Sequence, residues 1–420
     1  MSNDRVLIKG GTLIDGTGRT PAADTAVLIE AGKIKATGAT ALRDAGSGAA
    51  PTIVDASSQY VLPGLIDGHV HLSMVQGTPV GVRFPTSAEH CTLRAAQHLR
   101  AILRAGFTSV SVPGGKWFVD VALREAVDTG MLVGPRIFAG GRALTPYGGI
   151  FDQRPSWEQG LPDDLVGVLC NKLEDYIVEA RRQCKNGVDL IKIADSFWGD
   201  TQTVSRGEIA AVVEEAHRRN VKVAIHSRGS GTTRDAALAG VDWIFHADHA
   251  TQSDLEAVAR AGIPIMPTFA QGEIWANHGI EVSQATKDRL KKQLEINVKA
   301  IQAAKKLGIK LLIGTDSGNA PVMTIGKWHG YEAAFFVKHL GYSPLEVISI
   351  QTRENAFVVG QSGQLGTIEP GMIADIVVLD ADPTKRIEVL GDPAHVRTVI
   401  KDGRVIDLGI GPSSSKLLAA

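Results

Sequence analysis

The sequence has 420 residues, in which 44 Lys and Arg stand against 45 Asp and Glu, so the formal net charge is −1 at pH 7. No run of five like charges occurs, which argues against a protein that binds nucleic acid or an anionic membrane. The first residues, MSNDRVLIKGG, lack the basic and apolar regions of a secretory leader. No apolar stretch approaches the roughly 18 residues of a transmembrane helix. We therefore expect a cytoplasmic protein without nucleic-acid or membrane partners.

The cysteines give no sign of a disulfide framework. There are three, Cys91, Cys170 and Cys184, which is an odd number and too few for a chain of this length. None belongs to a Cys-x-x-Cys pair. We expect reduced thiols that pack as small apolar side chains.

Both ends of the chain carry short apolar strands separated by Gly, Pro, Ser and Asp. Those near the N-terminus are RVLIKGGTLID, TAVLIEAGKIKATG and PTIVDASSQYVL. Similar segments rich in valine and isoleucine return in 363–380 and 395–408. We predict that residues 1–60 and 361–408 form one small β-sandwich domain. The final residues, 409–420, are small, polar and glycine-rich, which predicts a mobile or partner-docked tail.

Between the ends, over 61–360, apolar strands alternate with amphipathic helices, a pattern typical of a parallel sheet with helical crossovers. Eight strands are predicted, over 64–72, 107–114, 135–141, 189–195, 221–227, 243–248, 263–269 and 310–318. Helices are predicted over 208–220, 285–308 and 343–360. Eight strand–helix units favour an α/β fold of the (β/α)8 TIM-like barrel type over an open doubly wound sheet. No Gly-x-Gly-x-x-Gly motif follows the first strand, as a dinucleotide fold would require.

Side chains that can bind metal ions recur along the predicted strands. They are His69 and His71 on strand one, Lys192 on four, His226 on five, His246 on six and Asp316 on eight. All but Lys192 lie near the carboxyl ends of their strands, which meet at one mouth of such a barrel. His69 and His71 are one residue apart on an extended strand, so both imidazoles point to the same side. Alone, His226 or His246 would more often be a satisfied core histidine, but their positions on consecutive strands favour a shared site.

Lys192 is the unusual member of this set, because it lies between two isoleucines in a short apolar strand. A charged amine there is costly without a partner. One interpretation is that CO2 carbamylates the amine, which gives a carboxylate able to bridge two cations. The alternative is an ion pair with Asp195 or another acid. Asp316 could be a ligand, a general base or a cap of the following turn.

Taken together, six segments make the chain resemble the amidohydrolase superfamily along nearly its full length. They are VLPGLIDGHVHL (61–72), GFTSVSVPG (106–114), GPRIFAGGRALTP (134–146), VDLIKIAD (188–195), KLLIGTDSG (310–318) and LGTIEPGMIADIVVLD (365–380). Within it, the chain is most similar to the branch of Xaa-dipeptidases, ochratoxinase-like amidases, phenylurea and thiocarbamate hydrolases and, more distantly, imidazolonepropionases. The resemblance implies two divalent ions, one held by His69, His71 and Asp316 and one by His226 and His246. Carbamylated Lys192 and a hydroxide would bridge them.

Two positions depart from the family pattern. Many members have Gly-Gly-His-Gly-Asp after strand three, with the histidine at the substrate carbonyl, whereas this chain has Ile150 there. Many peptidase-like members have a tyrosine two residues after the strand-five histidine, where this chain has Arg228. These departures disfavour dipeptidase activity. Arg228 could bind a substrate carboxylate with both forked nitrogens, or pair with a structural acid.

The resemblance implies a hydrolase that cleaves a C–N amide-like bond of a small molecule, such as an N-acyl amino acid, aryl amide, urea or carbamate. The metal pair, by default zinc, would activate water and polarise the scissile carbonyl. Asp316 would carry the proton to the leaving nitrogen, with Lys192 as the other catalytic group. The alternatives are an Xaa-dipeptidase, a one-metal deaminase or cyclic-amide hydrolase, which typically lacks the strand-four lysine, and a non-enzymatic protein on the same scaffold.

Further residues near the predicted mouth could bind the substrate. Two are histidines and four are aromatic residues after strands four and seven, namely His249, His329, Phe197, Trp198, Phe269 and Trp275. The histidines could equally order their loops, and the aromatic residues could equally pack in the core. The resembling families are frequently oligomeric, so a homo-oligomer is expected.

Overall fold

A computed structural model of the chain describes residues 5–74, 87–152, 166–199, 201–277, 283–320 and 322–409. Its strands are β1 Arg5–Lys9, β2 Thr12–Leu13, β3 Ala26–Glu30, β4 Lys33–Thr37, β5 Thr52–Asp55, β6 Tyr60–Pro63, β7 Leu65–Asp67, β8 Phe107–Val112, β9 Arg136–Ala139, β10 Ala143–Thr145, β11 Gly167–Leu169, β12 Leu190–Ala194, β13 Lys222–Ser227, β14 Trp243–His246, β15 Ile265–Met266, β16 Ile376–Leu379, β17 Val396–Lys401 and β18 Arg404–Val405. Its α-helices are α1 Gly38–Ala45, α2 Ala88–Arg104, α3 Val119–Asp128, α4 Leu173–Lys185, α5 Arg206–His217, α6 Thr232–Ala239, α7 Gln252–Ala261, α8 Phe269–Asn277, α9 Gln284–Lys306, α10 Tyr331–Leu340 and α11 Pro344–Ser349. Helix α11 continues into a π-helical turn, Ile350–Glu354, and a 3-10 turn, Asn355–Val359, and a further 3-10 turn covers Ile387–Val389.

The two chain ends build two mixed sheets that share a core. One sheet has the order β4-β3-β1-β5, and the other has the order β18-β17-β16-β6-β2. Strand β16 from the C-terminal part pairs antiparallel with β6 from the N-terminal part, with Ile376 opposite Pro63. Buried side chains from both sheets, among them Val27, Val61 and Val378, form one hydrophobic cluster. Strands from both chain ends therefore lie in one sheet.

The middle of the chain forms parallel sheets between helices. Strands β7-β8-β9 make one sheet, and β11-β10-β12-β13-β14-β15 make the other. Single parallel bridges continue this pairing, joining Gly140 to Leu190, Ile265 to Leu311 and Val70 to Ser317. The segment directly after β9 thus lies beside β12. Residues 311–317 in turn connect β15 with the segment after β7. This order brings the carboxyl ends of the parallel strands to one side of the sheets.

Three features differ from the elements predicted from the sequence. Residues 310–318 form single bridges at Leu311 and Ser317 but no continuous strand, and the backbone of Asp316 is left-handed, with φ 58°. Strands β10 and β11 were not predicted, because each is only three residues long. Strand β10 lies beside β12, with Leu144 opposite Ile193. The helix predicted over 343–360 is α-helical only over Pro344–Ser349, and a π-helical turn and a 3-10 turn follow it.

Cys91 and Cys170 are buried, Cys184 is half-buried, and none of the three forms a disulfide. Among the described helices, none is both long enough and apolar enough to cross a membrane. Residues 410–420, most of the predicted tail, lie outside the described residues.

Candidate metal centre and adjoining pocket

Three predicted ligands, His69, His71 and Asp316, meet in the interior as a triad. The Nε2 atoms of His69 and His71 are 3.2 Å apart. Asp316 Oδ1 lies 2.9 Å from His71 Nε2 and 3.4 Å from His69 Nε2. All three side chains are buried. Burial opposes ionisation of Asp316, but His69, His71 and Lys192 outweigh it and hold the pKa of this carboxyl below its usual range.

A buried carboxylate behind the triad fixes the two chain segments that supply it. Asp67 accepts hydrogen bonds from the His69 backbone N–H at 3.1 Å and from the Thr315 N–H and hydroxyl at 3.1 and 2.7 Å. His329 Nδ1 lies 2.7 Å from Asp67 Oδ2. The Asp316 N–H also donates to the His69 carbonyl at 2.7 Å. The ends of strands one and eight are therefore held together by one acid and by direct backbone bonding.

Lys192 enters the same site from the middle of β12. Its Nζ lies 3.1 Å from His69 Nε2 and over the ring of Phe245. Burial lowers the pKa of this amine to about 8. Among the described residues, no carboxylate forms an ion pair with it, and Asp195 instead accepts hydrogen bonds from Thr203 and Thr232. The predicted alternative of a Lys192–Asp195 ion pair is therefore wrong.

His226 and His246 form a second group beside the triad. Their ring centroids are 4.4 Å apart, and the His246 ring is 5.9 Å from that of His69. His226 Nε2 lies 3.3 Å from the Ser196 carbonyl, and His246 Nδ1 contacts the hydroxyl of Thr268. Burial lowers the pKa of both imidazoles well below the ordinary range, so both are neutral at pH 7.

The donor set fits a divalent metal ion. Neutral imidazole and carboxylate are ligands of zinc, and bonds of 2.0–2.1 Å in a tetrahedron place ligand atoms about 3.3 Å apart. The triad atoms lie within 4.8 Å of one another, at separations close to that edge. The His71 Nδ1 contacts the Gly114 carbonyl, a contact that leaves Nε2 with a free lone pair. Burial also lowers the pKa of His69 well below the ordinary range, which keeps it neutral.

A pocket of about 510 Å³, including its open mouth, adjoins these residues. Its apolar wall consists of residues from the segment after β12 and from α8 and α9, namely Phe197, Trp198, Phe269, Trp275, Leu290 and Leu294. Thr268 lines the pocket as well and contacts His246, so the pocket lies directly beside the candidate metal centre. The predicted aromatic residues are thus brought together on one surface.

Arg228 lines the same pocket, although part of its charge is already paired. Its Nη1 contacts Asp248, its Nη2 donates to Gln271 at 3.0 Å, and its Nε has no hydrogen-bond partner among the described residues. Asp248 is buried and also accepts hydrogen bonds from Gln293 and Asn297. Arg228 therefore pairs with a buried acid, one of its two predicted roles, and it also lines the pocket. Its other predicted role, binding of a substrate carboxylate, stays a prediction.

Three other predicted residues do not line this pocket. His249 is half-buried, with Nε2 3.1 Å from Gln293 Oε1. His329 is fully buried behind the triad on Asp67. The Ile150 backbone N–H donates to the Asp195 carbonyl at 2.8 Å, and its side chain is half-buried. Sequence reasoning missed Asp248, Thr268 and Glu332. Only Asp248 carried a signal, as an acid two residues after a candidate ligand.

Comparison with known proteins decides the family. The model of the amidohydrolase family matches residues 60–406, which is most of the chain. The chain belongs to the amidohydrolase family. Its parallel sheets and helices are the TIM-barrel-like α/β fold of that family. Amidohydrolases generally use divalent metal ions, in accord with the triad of His69, His71 and Asp316.

Similar amidohydrolases are known in sequence and in structure. Ochratoxinase of Aspergillus niger is 29% identical over 388 residues, which cover 84% of this chain and 77% of the relative. Imidazolonepropionase of Cupriavidus necator is 25% identical over 410 residues, with coverage of 91% and 90%. A crystal structure of a prolidase complexed with N-methylphosphonate-L-proline superposes with a TM-score of 0.84 at 26% identity, covering 96% of this chain and 99% of the other. The predicted class, a hydrolase acting on carbon–nitrogen bonds, is confirmed.

Proposed function

We propose that this amidohydrolase cleaves the amide bond of N-acyl amino acids that carry an aromatic or other apolar acyl group. The single observation that supports it is a pocket beside the metal centre that combines an apolar wall with a guanidinium. Trp198, Phe269 and Trp275 give an aromatic ring a surface on which to be buried, and Arg228 offers a carboxylate its forked donors.

The polar edge of the pocket supports a substrate with one anionic group. Arg228 is 15% exposed and shares its charge with the fully buried Asp248, which keeps the guanidinium in place without a ligand. The Trp275 indole N–H is buried and has no partner in the described part of the chain. A neutral polar group of a substrate would satisfy it, because a buried donor without an acceptor is unfavourable.

We also propose two divalent ions, by default zinc, with carbamylated Lys192 between them. His69, His71 and Asp316 would hold one ion, and His226 and His246 the other. The support is the burial of Lys192 against His69 without an acid partner. Attack of the neutral amine on CO2 forms the N–C bond and releases one proton, which turns an unpaired amine into an anionic ligand.

In the reaction, the bound metal supplies a water of lowered pKa and a Lewis acid for the scissile carbonyl. Asp316 would accept the proton of the attacking water and return it to the leaving nitrogen. Arg228 binds the carboxylate of the amino-acid part and so fixes the amide relative to Asp316. The aromatic wall buries the acyl group and excludes solvent water from the scissile bond.

Dipeptidase activity is the second candidate, because the chain superposes on a prolidase with a TM-score of 0.84. A panel of N-aroyl amino acids, their carboxamide analogues, aryl amides, phenylureas, carbamates and dipeptides, compared by kcat/KM, separates the two. We expect N-aroyl amino acids to be cleaved fastest. A kcat/KM for dipeptides that is tenfold higher, about 1.4 kcal/mol at the transition state, would instead identify an Xaa-dipeptidase.

The role of Arg228 is tested by Arg228→Lys, which keeps a charge beside Asp248 but loses the fork. We expect kcat/KM for an N-aroyl amino acid to fall about tenfold, with little change for the carboxamide that lacks the carboxylate. Arg218→Lys, at a surface pair with Glu214, is the matched control. An equal fall for acid and carboxamide would remove Arg228 from carboxylate recognition.

For the architecture, we propose that the parallel strands close into an eight-stranded barrel over 61–360. The three bridges that join its sheets support this closure. The terminal sheets, from 1–60 and 361–408, would form the β-sandwich, as their shared hydrophobic cluster supports. A homo-oligomeric state and a cytoplasmic location stay predictions from the sequence.

A further inference from the structure

The tautomer of His246 is set by a short relay of hydrogen bonds. The Thr268 hydroxyl donates its only hydrogen to the Pro267 carbonyl at 2.8 Å. With its hydrogen directed to that carbonyl, the hydroxyl oxygen accepts in its contact with His246 Nδ1, and Nδ1 carries the imidazole hydrogen. The lone pair of the neutral ring is then on Nε2. This Nε2 is buried and has no hydrogen-bond partner in the described structure.

Thr268 holds this position with a backbone that its side chain disfavours. Its φ is 53°, in the left-handed region, which is uncommon for a β-branched residue and requires support from its surroundings. His246 itself has φ 72°, so both partners of the contact are left-handed. Contacts with surrounding residues must therefore stabilise the backbone conformation of Thr268 and His246.

Glu332 of α10 supplies that support. Its carboxyl oxygens accept the backbone N–H groups of Phe269 and Ala270 at 2.8 and 2.7 Å. These are the first two residues of α8, directly after Thr268, and their N–H groups have no partner within the helix. Glu332 is completely buried, so its oxygens have no competing solvent. The clamp fixes the start of α8 and, with it, the direction of the Thr268 side chain.

We propose that Thr268 is a positioning residue that fixes His246 as the Nδ1–H tautomer and leaves Nε2 to bind a metal ion, with Glu332 as the clamp that holds Thr268. The inference rests on the proposed second ion at His226 and His246. The equivalent contact of His71 with Gly114 uses a carbonyl, which can only accept. At His246 the acceptor is instead the Thr268 hydroxyl oxygen, because its hydrogen is donated to the Pro267 carbonyl.

The tautomer is measured by 15N NMR of the full-length protein labelled at its histidine rings, before and after stripping of metal. We expect His246 to be Nδ1–H in both states of the wild type. In stripped Thr268→Val, which keeps the side-chain shape but removes the acceptor, we expect the Nε2–H form to appear. Thr268→Ser, which restores the hydroxyl, should restore Nδ1–H. A wild-type Nε2–H tautomer in the stripped protein would overturn the inference.

The second readout is zinc affinity, measured by competition with a chromophoric chelator. Thr268→Val and Glu332→Gln should weaken the second ion about 10–100-fold, and Thr268→Ser by less than about threefold. Thr352→Val is the matched control, since Thr352 is a buried threonine whose hydroxyl donates to the Ile348 carbonyl at 2.7 Å. Wild-type affinity in Thr268→Val would overturn the inference. A wild type that binds one ion but keeps the Nδ1–H tautomer would overturn the two-ion proposal and leave the role of Thr268 in place.

Discussion

The buried amine of Lys192 would disfavour metal binding as a cation and would favour it as a carbamate. It is 3% exposed, faces His69 and Phe245, and forms no ion pair with a carboxylate in the described structure. A cation in this position would repel any metal ion bound at His69. Carbamylation reverses the sign of the charge, which makes the same position favourable for two cations.

Replacement of Lys192 by Ala should therefore remove one or both ions and lower turnover by about 100-fold or more, since the anionic bridge goes with its amine. Metal content after dialysis and kcat measure the two effects. Uptake of zinc by stripped wild-type protein should also depend on bicarbonate, and that of Lys192→Ala should not.

Lys222→Ala is the control for this experiment, because Lys222 lies on the neighbouring strand β13 but pairs with Asp242 at 2.8 Å. It should retain both ions. Near-native turnover of Lys192→Ala would show that Lys192 does not bridge the ions.

Asp120 is a second buried titratable residue, outside the ligand set. It lies in the first turn of α3, accepts a hydrogen bond from Ser73 at 3.3 Å, and is 1% exposed. Burial raises the pKa of Asp120 to about 7, against the smaller opposite effect of the Ser73 hydrogen bond. Because the folded state holds the proton more tightly than the unfolded state, Asp120 costs stability as the pH rises from about 4 to 7, and the loss is complete above 7.

Asp120→Asn should remove this loss. The variant should gain stability relative to the wild type between pH 5 and pH 7.5, on the order of a few kcal/mol for a shift of this size. Thermal unfolding of both proteins at the two pH values, at equal metal loading, gives the difference. If the stability of the wild type and of Asp120→Asn changed equally between the two pH values, the raised pKa of Asp120 would be contradicted.

At the scale of elements, the metal-binding side chains could be predicted because they follow a simple rule. Carboxyl ends of parallel strands meet on one side, so His69, His71, His226 and His246 could be expected to converge from their positions alone. Thr268 and Glu332 could not. The role of Thr268 depends on a left-handed turn after β15, and that of Glu332 on how α10 packs against the start of α8. Neither the turn nor the packing leaves a periodic pattern in the sequence.

The short elements were also beyond prediction. Strands β10 and β11 are too brief to show an alternation of apolar and polar residues. The apolar run 310–315 predicts a strand, but its hydrogen bonds go singly to β15 and to the segment after β7. The turn at Asp316 ends the extended backbone where the side chain must face the histidines.

At the scale of the whole molecule, the terminal sheets are joined to the parallel sheets by a buried ion pair. Arg136 at the start of β9 pairs with Asp375 at 2.8 Å and also contacts Asp402. The Asp375 side chain is fully buried and that of Arg136 is 17% exposed. Burial works against the charged form of Arg136, but the two carboxylates outweigh it and raise its pKa.

Arg136→Met should leave the Asp375 carboxylate without its partner and lower the free energy of unfolding by about 3 kcal/mol. Arg19→Met is the control, because Arg19 also pairs with two carboxylates, Asp15 and Glu369, but is 64% exposed. It should change stability by less than about 1 kcal/mol. Chemical denaturation of both variants measures this, with kcat expected to be unchanged at low temperature. Equal effects of the two substitutions would show that burial of the pair is unimportant.

The joining of strands one and eight through Asp67 has a consequence for biosynthesis. His69 and His71 leave the ribosome long before Asp316, yet the triad exists only when all three are in place. A nascent chain that lacks Thr315 and Asp316 also lacks two of the donors that orient Asp67. The complete three-ligand set is therefore available to an ion only after synthesis has passed residue 316. Binding by all three ligands requires that the first and last parallel segments have already met.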